Sequence, residues 1–121
     1  MTDDDSTEPG YKCHCKNKTN LITLWRSYIT VNGGYIKLRE FQLAANGDRH
    51  LRLAYPTENL IKIKFRDIRG WHGCGHFFVN ADDHVDLKES DNKLTVYVNG
   101  QPATPVDPPA SIEEEDSAEV E

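Results

Sequence analysis

Residues 60–68 read Leu60-Ile61-Lys62-Ile63-Lys64-Phe65-Arg66-Asp67-Ile68, with Ile61, Ile63 and Phe65 at alternate positions and Lys62, Lys64 and Arg66 between them. Successive side chains of a β-strand point to opposite faces, so as a strand this run sorts cleanly into one apolar and one cationic face. A helix would scatter both kinds of residue around its circumference. The rest of the chain is built in the same way. Leu21–Val31 is rich in β-branched and aromatic residues and ends at Asn32-Gly33-Gly34, a hairpin signal that tolerates positive φ. Tyr35–Leu43, Arg49–Tyr55, Trp71–Val79, His84–Lys88 and Lys93–Val98 read as further strands. Turn signals at Asn46-Gly47-Asp48, Pro56–Asn59, Asn80–Asp83, Glu89–Asn92 and Asn99-Gly100 separate them. No stretch sustains apolar residues at i, i+3, i+4 and i+7, so no helix is expected.

Short strands at regular spacing predict an all-β fold, a small antiparallel sandwich or barrel of about seven to eight strands. Residues 11–106 form the single domain. Residues 1–10 and 107–121 are expected to be disordered acidic termini, because such composition cannot bury enough apolar area to order itself. The chain has no apolar run long enough to span a membrane and opens Met1-Thr2-Asp3-Asp4-Asp5, unlike a signal peptide. It therefore reads as a cytoplasmic protein. On that reading the sequon Asn17-Lys18-Thr19 is a chance match.

The net charge of −6 conceals a partition along the chain. Residues 1–10 carry four acids and residues 107–121 carry seven, with no Lys or Arg in either segment. All 14 basic residues lie in 11–106 against 9 acids. Twelve of them lie in residues 11–70, against 4 acids there. The chain is acidic by composition but reads as a basic sheet between acidic segments by organisation.

Lys37 and Arg39 share a face of one expected strand, Arg52 lies on the next, and Lys62, Lys64 and Arg66 line a third. If those three consecutive strands form an antiparallel meander, all six cations fall on one exposed face, with about 4.8 Å between strands. Such a face tracks phosphates. Tyr35 and Phe41 fall on the charged side of their strand and would serve as stacking platforms for bases. A solvated outer face and edge protection by lysine account for the same residues without function. The acid-rich segment Asp107–Glu121 acts either as a solubility element or as a polyanion that competes with nucleic acid for the basic face.

Cys13-His14-Cys15 and His72-Gly73-Cys74-Gly75-His76 hold all three cysteines, and in both runs the candidate ligands recur at i, i+2. If the two runs lie side by side, Cys13, Cys15, Cys74 and His76 (or His72) converge as a tetrahedral zinc site. The alternatives are buried thiols that behave as small hydrophobes, or a reactive Cys74 activated by flanking imidazoles. No phosphate-binding glycine loop, metalloprotease helix or nucleophile elbow is present, so no enzyme is expected.

Leu53-Ala54-Tyr55-Pro56-Thr57, followed after a seven-residue gap by Phe65-Arg66-Asp67-Ile68, resembles the SpoVG family of small bacterial regulators within Tyr35–Ile68. The resemblance implies regulation through DNA and RNA binding, with Arg66 as the one matching residue that is a candidate contact. The family continues into an amphipathic helix where this chain has Gly70–His76. The expected function is that of a small, non-catalytic nucleic-acid-binding regulatory protein with zinc stapling its first strand. The alternative is a protein-interaction, inhibitory or structural module, of viral type for instance, whose acidic segments dock a basic partner.

Overall fold

The computed structural model describes residues 10–107, so apart from Gly10 and Asp107 the two acidic termini lie outside the described residues. In chain order the strands are β1 (Tyr11–Lys18), β2 (Ile22–Val31), β3 (Gly34–Leu43), β4 (Asp48–Leu53), β5 (Asn59–Asp67), β6 (Gly70–Val79), β7 (His84–Ser90), β8 (Lys93–Val98) and the short β9 (Gln101–Pro102). They make two layers, a five-stranded sheet in the order β4-β1-β7-β8-β9 and a four-stranded sheet in the order β3-β2-β5-β6. The fold is an all-β sandwich. Among the described strands each pairing is antiparallel except β1 with β7, which run parallel. The described residues contain no helix long and apolar enough to cross a membrane.

Alternation places the core between the layers. Trp25, Phe41, Leu43, Ile61, Ile63, Phe77 and Val79 from the four-stranded sheet meet Cys13, Cys15, Leu51, Leu53, Val85, Leu87 and Val96 from the other. Each buried aliphatic or aromatic side chain contributes about 1.5–3 kcal/mol. Polar groups that enter this interior carry their own partners. The indole N–H of Trp25 donates to Thr23 Oγ1 at 2.8 Å, and Ser27 Oγ donates to the Arg52 carbonyl of the opposite layer at 2.7 Å. Asn17, the first residue of the sequon, is buried; its amide donates to the carbonyls of Leu21 (2.7 Å) and Ala44 (3.0 Å) and accepts from Thr19. It staples two turns.

The expected meander of β3, β4 and β5 does not form. The turn at Ala44–Gly47, closed by Gly47 N–H donating to the Ala44 carbonyl at 2.9 Å, carries the chain into the other layer, where β4 pairs with β1. The turn before β5 brings it back. Asn59 fixes that return: its Oδ1 accepts from the N–H groups of Ala54 and Tyr55, and its amide donates to the Tyr55 carbonyl at 2.8 Å. Both neighbours of β2, namely β3 and β5, thus lie in its own layer while β4 does not.

Two bulges decide which side chains face outward. On β3 the register passes from Ser27↔Arg39 to Tyr28↔Lys37, leaving Leu38 as the extra residue. On β6 it passes from Ile63↔Gly75 to Lys64↔Gly73, leaving Cys74 extra. Gly75 there has φ +132°, and a Cβ on it would stand 3.0 Å from Pro105 Cβ. Only glycine allows the segment after β9 to lie against this edge, where Val106 N–H donates to the His76 carbonyl at 2.8 Å.

Candidate nucleic-acid interface

The side of the β3-β2-β5-β6 sheet turned away from the core carries most of the basic residues singled out above. Residues directly opposite on neighbouring strands share a face. Glu40, Arg26, Lys62 and His76 therefore form one row across all four strands. Next to it Gln42, Leu24, Lys64 and Gly73 form a second row, and Ile22, Arg66 and Trp71 a third. Lys37 pairs with Tyr28 on the same face beyond the bulge. Arg26, Lys37, Lys62, Lys64 and Arg66 thus come together around a single carboxylate, Glu40, among the described strand residues of this face.

Two predicted members fall elsewhere. The bulge at Leu38 turns Arg39 to the side of Ser27, so Lys37 and Arg39 do not share a face. Arg52 pairs with Lys12 on the outer face of the other layer, because β4 belongs to that sheet. Phe41 is likewise removed as a stacking platform: it is buried in the core, under the Arg49 guanidinium at 4.2 Å from its ring centre. Tyr35 does lie on the basic face, 6.4 Å edge-on from Tyr28, which stands 6.3 Å from the His76 ring.

Arg26 and Tyr28 were not singled out from the sequence. Arg26 is the lone charge in an apolar run, and its position two residues from Leu24 and from Tyr28 put it on their face. The signal was there. Its Nε donates to Glu40 Oε1 at 2.7 Å and its Nη1 to the Tyr28 hydroxyl at 3.3 Å. Burial alone would lower the Arg26 pKa, but the hydrogen bonds to Tyr28 and Glu40 and the charge of Glu40 outweigh it, and the net direction is up. Lys64 moves down, first through burial and then through the Arg26 charge, with Glu40 opposing.

Burial is the unusual property of this face. Although it points away from the sandwich interior, Arg26 is 1% exposed, Lys62 6%, Lys64 5% and His76 8%, and Leu24, Tyr28 and Leu60 are buried beside them. His76 Nε2 is buried with no hydrogen-bond partner among the described residues. Burial, with the charges of Lys62 and Arg26, pulls the His76 pKa down to about 4. Arg66 and Lys37 remain exposed at the margins.

The four expected zinc ligands are not brought together. Cys13 and Cys15 point into the core from β1, with sulfurs 3.9 Å apart, and β1 pairs with β4 and β7 rather than with β6. Cys74 sits on the β6 bulge against the core, while His76 faces out with Lys62. His72, the other candidate, stacks on Phe65 at 5.0 Å and hydrogen-bonds Asp67 at 2.8 Å. Among the described residues no three His, Cys, Asp or Glu side chains are grouped to hold a metal ion. The reactive-thiol reading meets the same geometry: burial pushes the Cys74 thiol up to about 12, and burial followed by Cys13 raises Cys15 strongly. Such thiols stay protonated.

Two other features belong to the surface. A cleft of about 640 Å³ opens at one end of the sandwich between Phe65, Asp67, Arg69 and Cys74 on one layer and Glu89, Lys93 and Leu94 on the other. On the outer face of the five-stranded sheet His14 stacks on His50 at 4.8 Å, its Nδ1 lies 3.4 Å from His84 Nδ1, and its Nε2 is 2.8 Å from Asp48 Oδ2. No family model, curated protein or solved structure matches the chain.

Proposed function

We propose that this protein is a non-catalytic nucleic-acid-binding protein, and that the outer face of the β3-β2-β5-β6 sheet is its binding surface. Arg66 and Lys37, exposed at its margins, contact the phosphate backbone, the buried Lys62, Lys64 and Arg26 add positive charge beneath them, and Tyr35 and Trp71 offer rings against which bases stack. The observation that carries this reading is the convergence of five cations from three strands around one carboxylate. That local excess is more than an outer sheet face needs for solubility. The resemblance of Leu53–Thr57 and Phe65–Ile68 to the SpoVG regulators supports the same class of partner, although β6 stands where those proteins continue into a helix.

The test is binding of fluorescent single-stranded and duplex oligonucleotides over a salt series, comparing the parent with Lys62→Gln/Lys64→Gln/Arg66→Gln. Log K should fall with log salt, by a slope of about −0.9 per contact on duplex and about −0.7 on single strands, and the variant should lose up to about three contacts' worth. A protein with no affinity for either probe at any salt belongs instead to the interaction-module class, whose partner is a basic protein.

A further inference from the structure

We infer that His14 and His84 form a two-nitrogen site for a divalent transition-metal ion of the zinc class, on the outer face of the five-stranded sheet. The site is independent of the proposed nucleic-acid surface, which belongs to the other layer, and uses none of the ligands expected from the sequence. It follows from register. Cys13 and Cys15 point into the core, so His14 between them points out. On one side of β1 the parallel strand β7 sets His84 opposite His14, and on the other β4 sets His50 opposite it. Three imidazoles thus stand in one row across β4, β1 and β7, around a depression of about 210 Å³ that Lys12 and Asp82 also line. The backbone beneath is well tied: His14 N–H donates to the Asp83 carbonyl at 2.9 Å, His84 N–H to Asn99 Oδ1 at 2.8 Å, and the Asn99 amide to Asp83 Oδ1 at 2.9 Å.

The rings are set for an ion between them. Asp48 Oδ2 lies 2.8 Å from His14 Nε2. An ionised carboxylate only accepts, so the neutral imidazole carries its proton on Nε2 and turns the Nδ1 lone pair toward His84. The stack of His50 on the His14 ring at 4.8 Å fixes the plane in which that lone pair points. His14 Nδ1 and His84 Nδ1 are 3.4 Å apart, with ring centres 5.3 Å apart and planes at 85°. That separation exceeds the usual hydrogen-bond range of about 2.7–3.2 Å, and two rings in line with a shared proton across it would have centres about 5.7 Å apart. On a tetrahedral ion with Zn–N of about 2.0–2.1 Å, two ligand nitrogens stand about 3.4 Å apart and their ring centres about 5.2 Å apart. The observed pair has the second geometry. A carboxylate hydrogen-bonded behind a ligating imidazole is also the arrangement that orients histidine toward a metal. Imidazole nitrogens suit zinc, copper or nickel rather than magnesium or calcium. Water completes the shell, and Asp82 at the rim offsets the charge of Lys12.

The ion ties β1 to β7, the one parallel pair among the described strands. Both ligands are in place in the folded protein, so the ion exchanges freely. Protein prepared without metal keeps its fold and ignores a chelator, whereas added Zn²⁺ raises the melting temperature by mass action. The experiment titrates Zn²⁺ into the full chain by calorimetry and follows the imidazole ¹⁵N resonances by NMR, with Mg²⁺ as the control for binding to carboxylates. One Zn²⁺ per chain should bind, shifting Nδ1 of His14 and His84 and leaving His72 and His76 where they were; Mg²⁺ should shift none of them. His14→Ala and His84→Ala should each abolish the one-to-one event. Asp48 is a positioning residue: Asp48→Ala should weaken Zn²⁺ binding about 10–100-fold with the stoichiometry unchanged, and Asp48→Glu should restore most of the loss. Zn²⁺ that binds the parent and His14→Ala/His84→Ala alike, or that moves neither Nδ1 resonance in the unmodified chain, overturns the site. An Asp48→Ala variant that binds like the parent overturns the orienting role.

Discussion

Arg26 donates from Nε to Glu40 Oε1 at 2.7 Å across the β2–β3 pair, and on the other side of Arg26, in register on β5, stands Lys62. One half-buried carboxylate thus sits beside a fully buried guanidinium that has a cationic neighbour. The pair is asymmetric. Glu40→Gln removes a compensating charge from a group that cannot rehydrate, and should cost about 3 kcal/mol in urea unfolding, the low end for a buried pair because Glu40 is partly exposed. Arg26→Met leaves a carboxylate that water can reach and relieves repulsion with Lys62 and Lys64, so it should cost less. The same variant should move the Lys64 pKa upward, because the Arg26 charge helps hold it down, and side-chain NMR titration reads that direction.

His76 makes stability depend on pH in a defined direction. Its folded pKa is depressed to about 4, by burial first and then by Lys62 and Arg26, while the unfolded chain takes up the proton near the ordinary value of 6.5. Below 6.5 the unfolded state binds more protons than the folded state, so stability falls as pH drops from about 6.5 toward about 4. The loss from this residue is on the order of 3 kcal/mol. Thermal melts of the parent over that range should show it, and His76→Gln should flatten the acid side of the profile while leaving the alkaline side in place.

The two cations that the fold removes from the basic face provide an internal control. Arg39 lies beyond the bulge and Arg52 on the other layer. Arg39→Gln and Arg52→Gln should leave the salt slope of duplex binding unchanged. Arg66→Gln, exposed on the face, should lower that slope by about 0.9 with unfolding free energy within about 0.5 kcal/mol of the parent. A slope that responds equally to all three substitutions would mean binding follows net charge and not this surface.

The thiols should behave as core atoms. Cys15→Ala should be milder than Cys15→Ser, because the serine hydroxyl enters a site built for sulfur and costs about 1–3 kcal/mol if it finds no partner. The melting transition should be the same with and without a chelator. Thiol reagents should label native Cys13, Cys15 and Cys74 slowly at pH 8 and all three rapidly in denaturant, in line with the raised pKa of Cys15 and Cys74.

Most strands were legible because the signal is local. Alternation in Leu60–Ile68 is a property of neighbouring residues, and Asn32-Gly33-Gly34 or Asn99-Gly100 mark chain reversals through φ values that few other residues adopt, so sequence alone determined the all-β class and the near-boundaries of seven strands. The sign of charge along the chain was equally its own. Which strands pair was not local. The sequence places β3, β4 and β5 in succession, but pairing is decided by which apolar faces bury together, and that sent β4 to β1 and set β2 between β3 and β5. One extra residue, Leu38, reversed the face of everything before it on β3, since the side-chain period is two. The same logic parted Cys13 and Cys15 from His76: each run obeys the ligand spacing, yet the cysteines face the core of one layer and the histidine the outside of the other. Tertiary structure alone set β2 between β3 and β5, so that Arg26 and Tyr28 stand among the other cations, and buried Lys62 and Lys64 there, because burial depends on what the whole chain brings over a surface, which no window of neighbouring residues contains.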